Sequence, residues 1–409
     1  MDNSKDCTYQ HTVPSGPLSS AELQQLSSAG MATLMQTMYQ LVMEAERRLH
    51  LDQHPQDKGN GSYPRQLGTP AGTISLQVPR DRDGDFRPQI LPPPRVRDVP
   101  ERSELIEALF TSSYSPNTMA TVLSRLGMHY SSDQLQELKK HYLEEFQAWA
   151  TKQLPQDALA IYIDAWHTEM RQGPRVRSAV CFVVLGVDYT GKKDLWGLYV
   201  HSGNENKDYW LMVLNDLIDR GLKRVLYVVS DDFSGLTDAV STLFPLASHQ
   251  LCLVHLQRNI RRNVSPQHAR RINAAIRTLK NTPDPEQAEQ QFRSLFEPLA
   301  KRYPAFVEHL LARTKHYLAF THLHPDLRKY FYTTNAAESF NSLLEKIRVG
   351  HGGFFQSEQS LKINIYLTYL RVKQKRWKKP CPGIVANLYH CRQLFAQRYG
   401  EQPREHIAA

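Results

Sequence analysis

The run Leu159–Trp166 (Leu-Ala-Ile-Tyr-Ile-Asp-Ala-Trp) is apolar and partly β-branched, with one carboxylate, Asp164, near its carboxyl end. Such a run reads as a buried strand. Two more strand-like runs follow: Val176–Val187, then the turn Asp188-Tyr189-Thr190-Gly191, then Leu195–Val200. Turn chemistry between apolar runs predicts an antiparallel three-strand meander. A helical stretch, Asp208–Arg220, ends at Gly221 and feeds a fourth strand, Arg224–Ser230, which again stops on carboxylates, Asp231 and Asp232. His249–Val254 reads as a short fifth strand.

Three antiparallel strands, a helix and a further strand, with acids ending the first and fourth, are the layout of a ribonuclease H-like core. The acids lie side by side if those two strands are neighbours. The expected fold class is therefore α/β: a ribonuclease H-like mixed sheet, three antiparallel strands then parallel ones, with an all-helical insertion and a mainly helical amino-terminal region.

Around this core the chain divides as follows. Residues 1–18 are polar and expected to be disordered. Residues 19–95 hold a helical pattern, Ser19–Leu51, with Ser19 or Ser20 as N-cap, and a strand-like segment, Thr73–Pro79; residues 52–72 are polar and glycine-rich. The acid cluster Asp81-Arg82-Asp83-Gly84-Asp85 resembles a calcium loop only loosely, lacking the Glu twelve places on, and reads as a solvated turn. Residues 96–155 carry two helical patterns, Ser103–Leu126 and Ser131–Gln153, across Gly127-Met128-His129-Tyr130. That is a helix-turn-helix or any other helical hairpin. Residues 156–264 form the first part of the core and 265–332 the helical insertion. Residues 333–380 complete the core with a helix Ala336–Arg348 and a basic end, and 381–409 form a tail.

Fifty Lys+Arg stand against 41 Asp+Glu, a net charge of +9, which permits a polyanionic partner without requiring one. Five scattered cysteines form no disulfide framework, so a reducing compartment, the cytoplasm, is expected. No apolar run approaches the roughly 20 residues that span a bilayer, and Met1–His11 has no signal-peptide core. In Arg371–Lys379 six of nine residues are Lys or Arg. Arg371, Lys373, Lys375, Arg376, Lys378 and Lys379 could track phosphates, with Trp377 as a stacking aromatic, or form a solvated helix end.

Carboxylates at rigid strand ends suit one chemistry in particular. Phosphodiester cleavage and strand transfer need an activated oxygen nucleophile and neutralised charge at the phosphate, which two Mg²⁺ or Mn²⁺ ions about 4 Å apart provide. Hard cations take oxygen ligands. Asp164, Asp231 and Glu338, at intervals of 67 and 107 residues, could supply them. Any one of these acids alone is better explained as the polar end of a strand; together with the strand order they make a candidate metal site. Asp232 would face the other way from Asp231 if the strand continues. Cys252 and His255 have two-residue spacing but no second pair to complete a zinc site.

At this point the chain resembles the Mutator-like transposases of bacterial insertion sequences. The matching stretches are Tyr162-Ile163-Asp164-Ala165, Val229 to Leu236 (Val-Ser-Asp-Asp-Phe-Ser-Gly-Leu), Cys252 to Asn259 (Cys-Leu-Val-His-Leu-Gln-Arg-Asn), and Thr334 to Asn341 (Thr-Asn-Ala-Ala-Glu-Ser-Phe-Asn). Gly72–Gly84 matches the family's amino-terminal segment. The resemblance runs in the family's order over roughly residues 30 to 380. It implies a DDE catalytic triad on a ribonuclease H-like fold, with Asp164, Asp231 and Glu338 as catalytic metal ligands for Mg²⁺ or Mn²⁺. It selects Asp231 over Asp232, and it departs from the family in having Asp232 where a small residue is usual. Cys252 and His255 match the family's Cys-x-x-His signature and, with Arg258 and Asn335 in the same stretches, are expected to support the site. The implied activity is binding of terminal inverted repeats, metal-dependent cleavage and joining to target DNA, by a dimer or higher oligomer on DNA. The alternatives are a ribonuclease H-like nuclease that joins nothing and a domesticated, non-catalytic DNA-binding protein.

Overall fold

The structure, a computed structural model, describes residues 30–94, 96, 98–110, 116–125, 132–201 and 207–404. The expected disordered start, the proposed caps Ser19 and Ser20, the turn Gly127–Tyr130 and residues 405–409 lie outside them. The chain forms two compact units, Met1–Lys140 and His141–Ala409.

In the first unit, helix α1 (Met31–Gln53) packs on a two-stranded antiparallel ribbon, β1 (Gly59–Thr69) and β2 (Gly72–Asp81). β2 alternates, burying Ile74, Leu76 and Val78 against Tyr39, Met43 and Leu67, the one-sided pattern of a ribbon with a single covered face. β1 arises within residues 52–72, where the sequence carries no strand signal. Most of β1 is polar and exposed, and only its last residues, Leu67 to Thr69, are buried. Helices α2 (Pro100–Phe110) and α3 (Pro116–Arg125) follow, and α4 (Ser132–Ala150) ends the helical run.

The second unit is a mixed α/β fold. Strands β3 (Asp157–Gln172), β4 (Arg175–Val187) and β5 (Lys193–His201) form the expected meander; helix α5 (Lys207–Asp219) leads to β6 (Arg224–Ser230), and α6 (Leu236–Leu243) leads to β7 (Ser248–Leu251). The strand order is β5-β4-β3-β6-β7, with β6 and β7 parallel to β3 and the meander antiparallel. The first and fourth strands are neighbours.

Both sheet faces are covered, which is why these strands read as continuous apolar runs rather than alternating ones. On one face Ile161, Ile163, Phe182 and Val184 pack on Trp210, Val213 and Leu217 of α5. On the other, Tyr162, Cys181, Val183 and Leu185 meet the later helices. These are α7 (Leu253–Asn263), α8 (Pro266–Leu279), α9 (Pro285–Phe296), α10 (Pro304–Ala312), α11 (Pro325–Phe331), α12 (Asn335–Gly350), α13 (Glu358–Lys375) and α14 (Leu388–Tyr399). Between residues 265 and 332 the described structure is helices and turns. Residues 253–254, expected to extend the fifth strand, open α7 instead. Residues 381–404 do not trail away: α14 buries Cys391 and Phe395, and Tyr399 and Arg398 donate to the carbonyls of Val225 and Leu226.

Candidate catalytic site

β3 and β6 pair in parallel up to Ile163 opposite Ser230, so the next residue on each strand is an aspartate, Asp164 and Asp231. Side chains alternate along a strand. Asp164 therefore shares the face of Tyr162 and Asp231 that of Val229, both of which pack in the core beneath the later helices. Asp164 is only 5 % exposed.

α12 lies over this face and presents Glu338, Asn341 and Glu345 at helical spacing. Asn341 Nδ2 donates to Asp164 Oδ2 at 2.7 Å, and Glu345 accepts from Trp166 Nε1 at 3.2 Å. α7 contributes His255 and Arg258, one turn apart. His255 Nδ1 donates to Asp231. Arg258 Nη1 lies 2.8 Å from Glu338 Oε1 and 2.6 Å from His255 Nε2. The Nδ1 proton faces the Asp231 carboxylate, which can only accept. Cys252 is buried at the start of α7, where its sulfur accepts from the backbone N–H and hydroxyl of Thr334 and so ties α7 to the start of α12.

The electrostatics follow from burial and crowding. Burial raises the Asp164 pKa to about 7, assisted by the Asp231 and Glu338 carboxylates and opposed by His255. Burial also raises Asp231, against the pull of His255. Burial works against charge on His255, but Asp231 outweighs it and draws the imidazole pKa upward. Asp164, Asp231, His255, Arg258 and Arg262 line one cleft of about 480 Å³.

Carboxylate oxygens are the donors that hard divalent cations take. Crowding that lifts a buried aspartate toward neutrality is what such a cation would relieve, so Asp164 and Asp231 fit a metal. The three acids do not converge on one point: the ligand atoms that lie within 4.8 Å of one another are those of Asp231, Cys252 and His255, and Glu338 is engaged by Arg258.

Other expected residues take different places. Asp232 turns to the helical insertion, accepting from His309 Nε2 at 2.7 Å and Arg313 Nε at 3.0 Å. Asn335 is exposed, and Asn341, two turns along the same helix, makes the contact to the acids. The sequence placed Asn341 in a matching stretch without a role; its i+3 spacing from Glu338 was the available signal. In the basic segment, Trp377 is buried against Phe340 and Tyr369, so it cannot stack on a base. Lys373 Nζ is paired with Asp194 at 2.8 Å. Lys375, Arg376, Lys378 and Lys379 are exposed and Arg371 is partly so.

Comparison with known proteins places this arrangement in a class. The model of the Mutator family of transposases matches residues 10–379, and the chain belongs to that family. It is 31 % identical over 305 residues to a probable insertion-sequence transposase of Corynebacterium diphtheriae, covering 73 % of this chain and 87 % of that one. It is 27 % identical over 373 residues to an insertion-sequence transposase of Rhizobium meliloti, covering 90 % and 92 %. Among the described residues no helix is long and apolar enough to cross a membrane.

Proposed function

We propose that this protein is a DNA transposase of the DDE type. It would act on the terminal inverted repeats of an insertion sequence, through a ribonuclease H-like sheet whose Asp164 and Asp231 hold Mg²⁺ or Mn²⁺, with Glu338 joining them when it leaves Arg258. The observation that carries the reading is the pairing of Asp164 and Asp231 at neighbouring parallel strand ends, under the helix that bears Glu338 and Asn341.

When bound, a divalent cation supplies charge neutralisation at the phosphate and activation of the attacking oxygen. The chain's own residues set the geometry. Asn341 fixes the rotamer of Asp164 by donating to one oxygen. His255 does the same for Asp231 and holds a proton at Nδ1. Arg258 and Arg262 place positive charge on the cleft where a phosphodiester would lie. Hydrolysis and strand transfer are the same in-line displacement with different nucleophiles, so one site serves both. The exposed cations Lys375, Arg376, Lys378 and Lys379, with Arg371, are assigned to the DNA backbone. Helices α2 to α4 are assigned to end recognition, and synapsis of two ends calls for a dimer or higher oligomer.

The test is an assay of cleavage and joining on inverted-repeat DNA with Mg²⁺. A transposase yields both nicked ends and joined products, each lost with EDTA. Cleavage without any joined product would instead identify a nuclease.

A further inference from the structure

A second group of potential metal ligands lies in the amino-terminal unit, where α1 meets the open end of the β1–β2 ribbon. It consists of His50 in the last turn of α1, Asp57 in the connection to β1, and Asp81 at the end of β2, opposite Gly59. One ligand atom from each lies within 4.8 Å of the others. His50 Nε2 stands 3.5 Å from Asp81 Oδ2 and 3.9 Å from Asp57 Oδ2. Both distances exceed the 2.7–3.2 Å of a hydrogen bond. The first is close to the ~3.3 Å that separates ligand atoms arranged tetrahedrally around zinc at bond lengths of about 2.0–2.1 Å, and the second is longer.

Both carboxyl groups are deeply buried; Asp57 is 8 % exposed and Asp81 3 %. Each is oriented by backbone donors. Asp57 Oδ1 accepts from the N–H of Lys58 and of Arg82, at 2.6 and 3.1 Å. Asp81 accepts from Gly84 at 3.0 Å and Phe86 at 2.8 Å. Asp57 Oδ2 has no hydrogen-bond partner and is aimed at His50 and Asp81. Burial pushes the Asp81 carboxyl up, but the N–H groups of Phe86, Asp81 itself and Gly84, together with the adjacent Asp57 carboxyl, outweigh it and hold it below its usual range. Two acceptors facing each other in a buried site need either a shared proton or a cation between them. The turn is solvated as expected at Arg82 to Asp85, which are exposed; only the Asp81 side chain is buried.

We propose that His50, Asp57 and Asp81 form a structural site for a divalent transition metal of the zinc type, which fastens the end of α1 to the ribbon. The imidazole ligand selects against Mg²⁺ and Ca²⁺. The backbone N–H groups that hold the two carboxylates are the orienting partners such a site needs. His50 also borders a cleft of about 380 Å³ lined by Glu46, Gln53 and Asp85, which gives the ion a route in. The site is independent of the catalytic reading, because it shares no residue with it.

The full-length chain carrying Asp164→Asn, Asp231→Asn and Glu338→Gln removes the carboxylates of the other site. After EDTA treatment and dialysis it is titrated with Co²⁺ alone, followed by visible absorption, and with Zn²⁺ alone, followed by melting temperature. We expect one cobalt equivalent with the spectrum of nitrogen and oxygen ligands, distinct from any thiolate band at Cys252. That equivalent disappears on adding His50→Gln, and the near-isosteric Asp57→Asn weakens it about 10- to 100-fold. Zn²⁺ should raise the melting temperature of the parent and not of the His50→Gln protein. The proposal is overturned if the cobalt titrations of parent and His50→Gln superimpose. It is equally overturned if Zn²⁺ leaves the parent's melting temperature unchanged while Asp57→Asn raises it, which would mean the two aspartates share a proton.

Discussion

The molecule brings a pair of aspartates together in two places, and their surroundings differ. At the sheet, Asp164 and Asp231 come from two parallel strand ends, are touched by side chains of two helices, and open on a cleft with two arginines. At the ribbon, Asp57 and Asp81 are held mainly by backbone N–H groups of the two loops they sit in, with one imidazole nearby. Side-chain partners can be exchanged as a substrate arrives, whereas backbone donors are fixed once the loop is folded. The first arrangement therefore suits chemistry and the second suits holding an ion or a shape.

Four measurements would break or sharpen that contrast. The largest effect is expected at the sheet. Asp231→Asn should lower strand cleavage about a thousandfold or more, since a charge ligand worth several kcal/mol to the transition state is lost. Asp232→Asn, whose carboxylate faces His309 and Arg313, should stay within about tenfold of wild type. Equal losses in both would mean that the two neighbours are not divided between chemistry and packing. Next, Asn341→Ala frees Asp164 to rotate; cleavage should fall about 10- to 100-fold and be partly restored by raising Mn²⁺, with DNA binding in a gel-shift assay unchanged.

On the ribbon side the reading is stability. Gln40 donates to the carbonyl of Gln77 at 2.7 Å and accepts from its N–H at 3.1 Å, serving the edge of β2 as an adjoining strand would. Gln40→Ala should destabilise this unit by about 1–3 kcal/mol in urea unfolding, and an unchanged midpoint would mean water replaces the amide.

The smallest effect concerns pH. His249 is buried, its Nε2 donates to Ser230 Oγ at 2.8 Å, and its Nδ1 has no partner. Burial first, and His316 second, lower its pKa to about 3. Between roughly pH 6.5 and pH 3 the unfolded chain takes up this proton and the folded chain does not, so stability falls as pH falls through that window. His249→Gln should flatten the acid limb of a stability–pH curve there and leave it unchanged above pH 7; parallel curves would show that His249 is protonated in the folded state.

The sheet was legible from the sequence because its strands are buried on both faces: continuous apolar runs broken by Asp188-Tyr189-Thr190-Gly191 and Gly221 leave little choice of element. The ribbon strand β1 was not, since Gly-Asn-Gly-Ser-Tyr-Pro-Arg is exposed and strand-like only by virtue of its pairing with β2. α14 was read as a tail because the helix buries only Cys391 and Phe395, too thin an apolar stripe to announce packing. Trp377 looked available to a nucleic acid because six cations surround it, yet indole area is worth more against Phe340 and Tyr369 than in water.

What the sequence determined by itself is the order of strands and helices and the presence of carboxylates at the ends of the apolar runs, because local periodicity and turn chemistry act over a few residues. Which acids meet was decided only by the tertiary structure. The parallel pairing of β3 with β6 sets Asp164 beside Asp231, and the packing of α1 on the end of the ribbon sets His50 and Asp57 beside Asp81. Both are contacts between residues distant in the chain, and no spacing along a sequence encodes a distance in space until the sheet and its covering helices have closed.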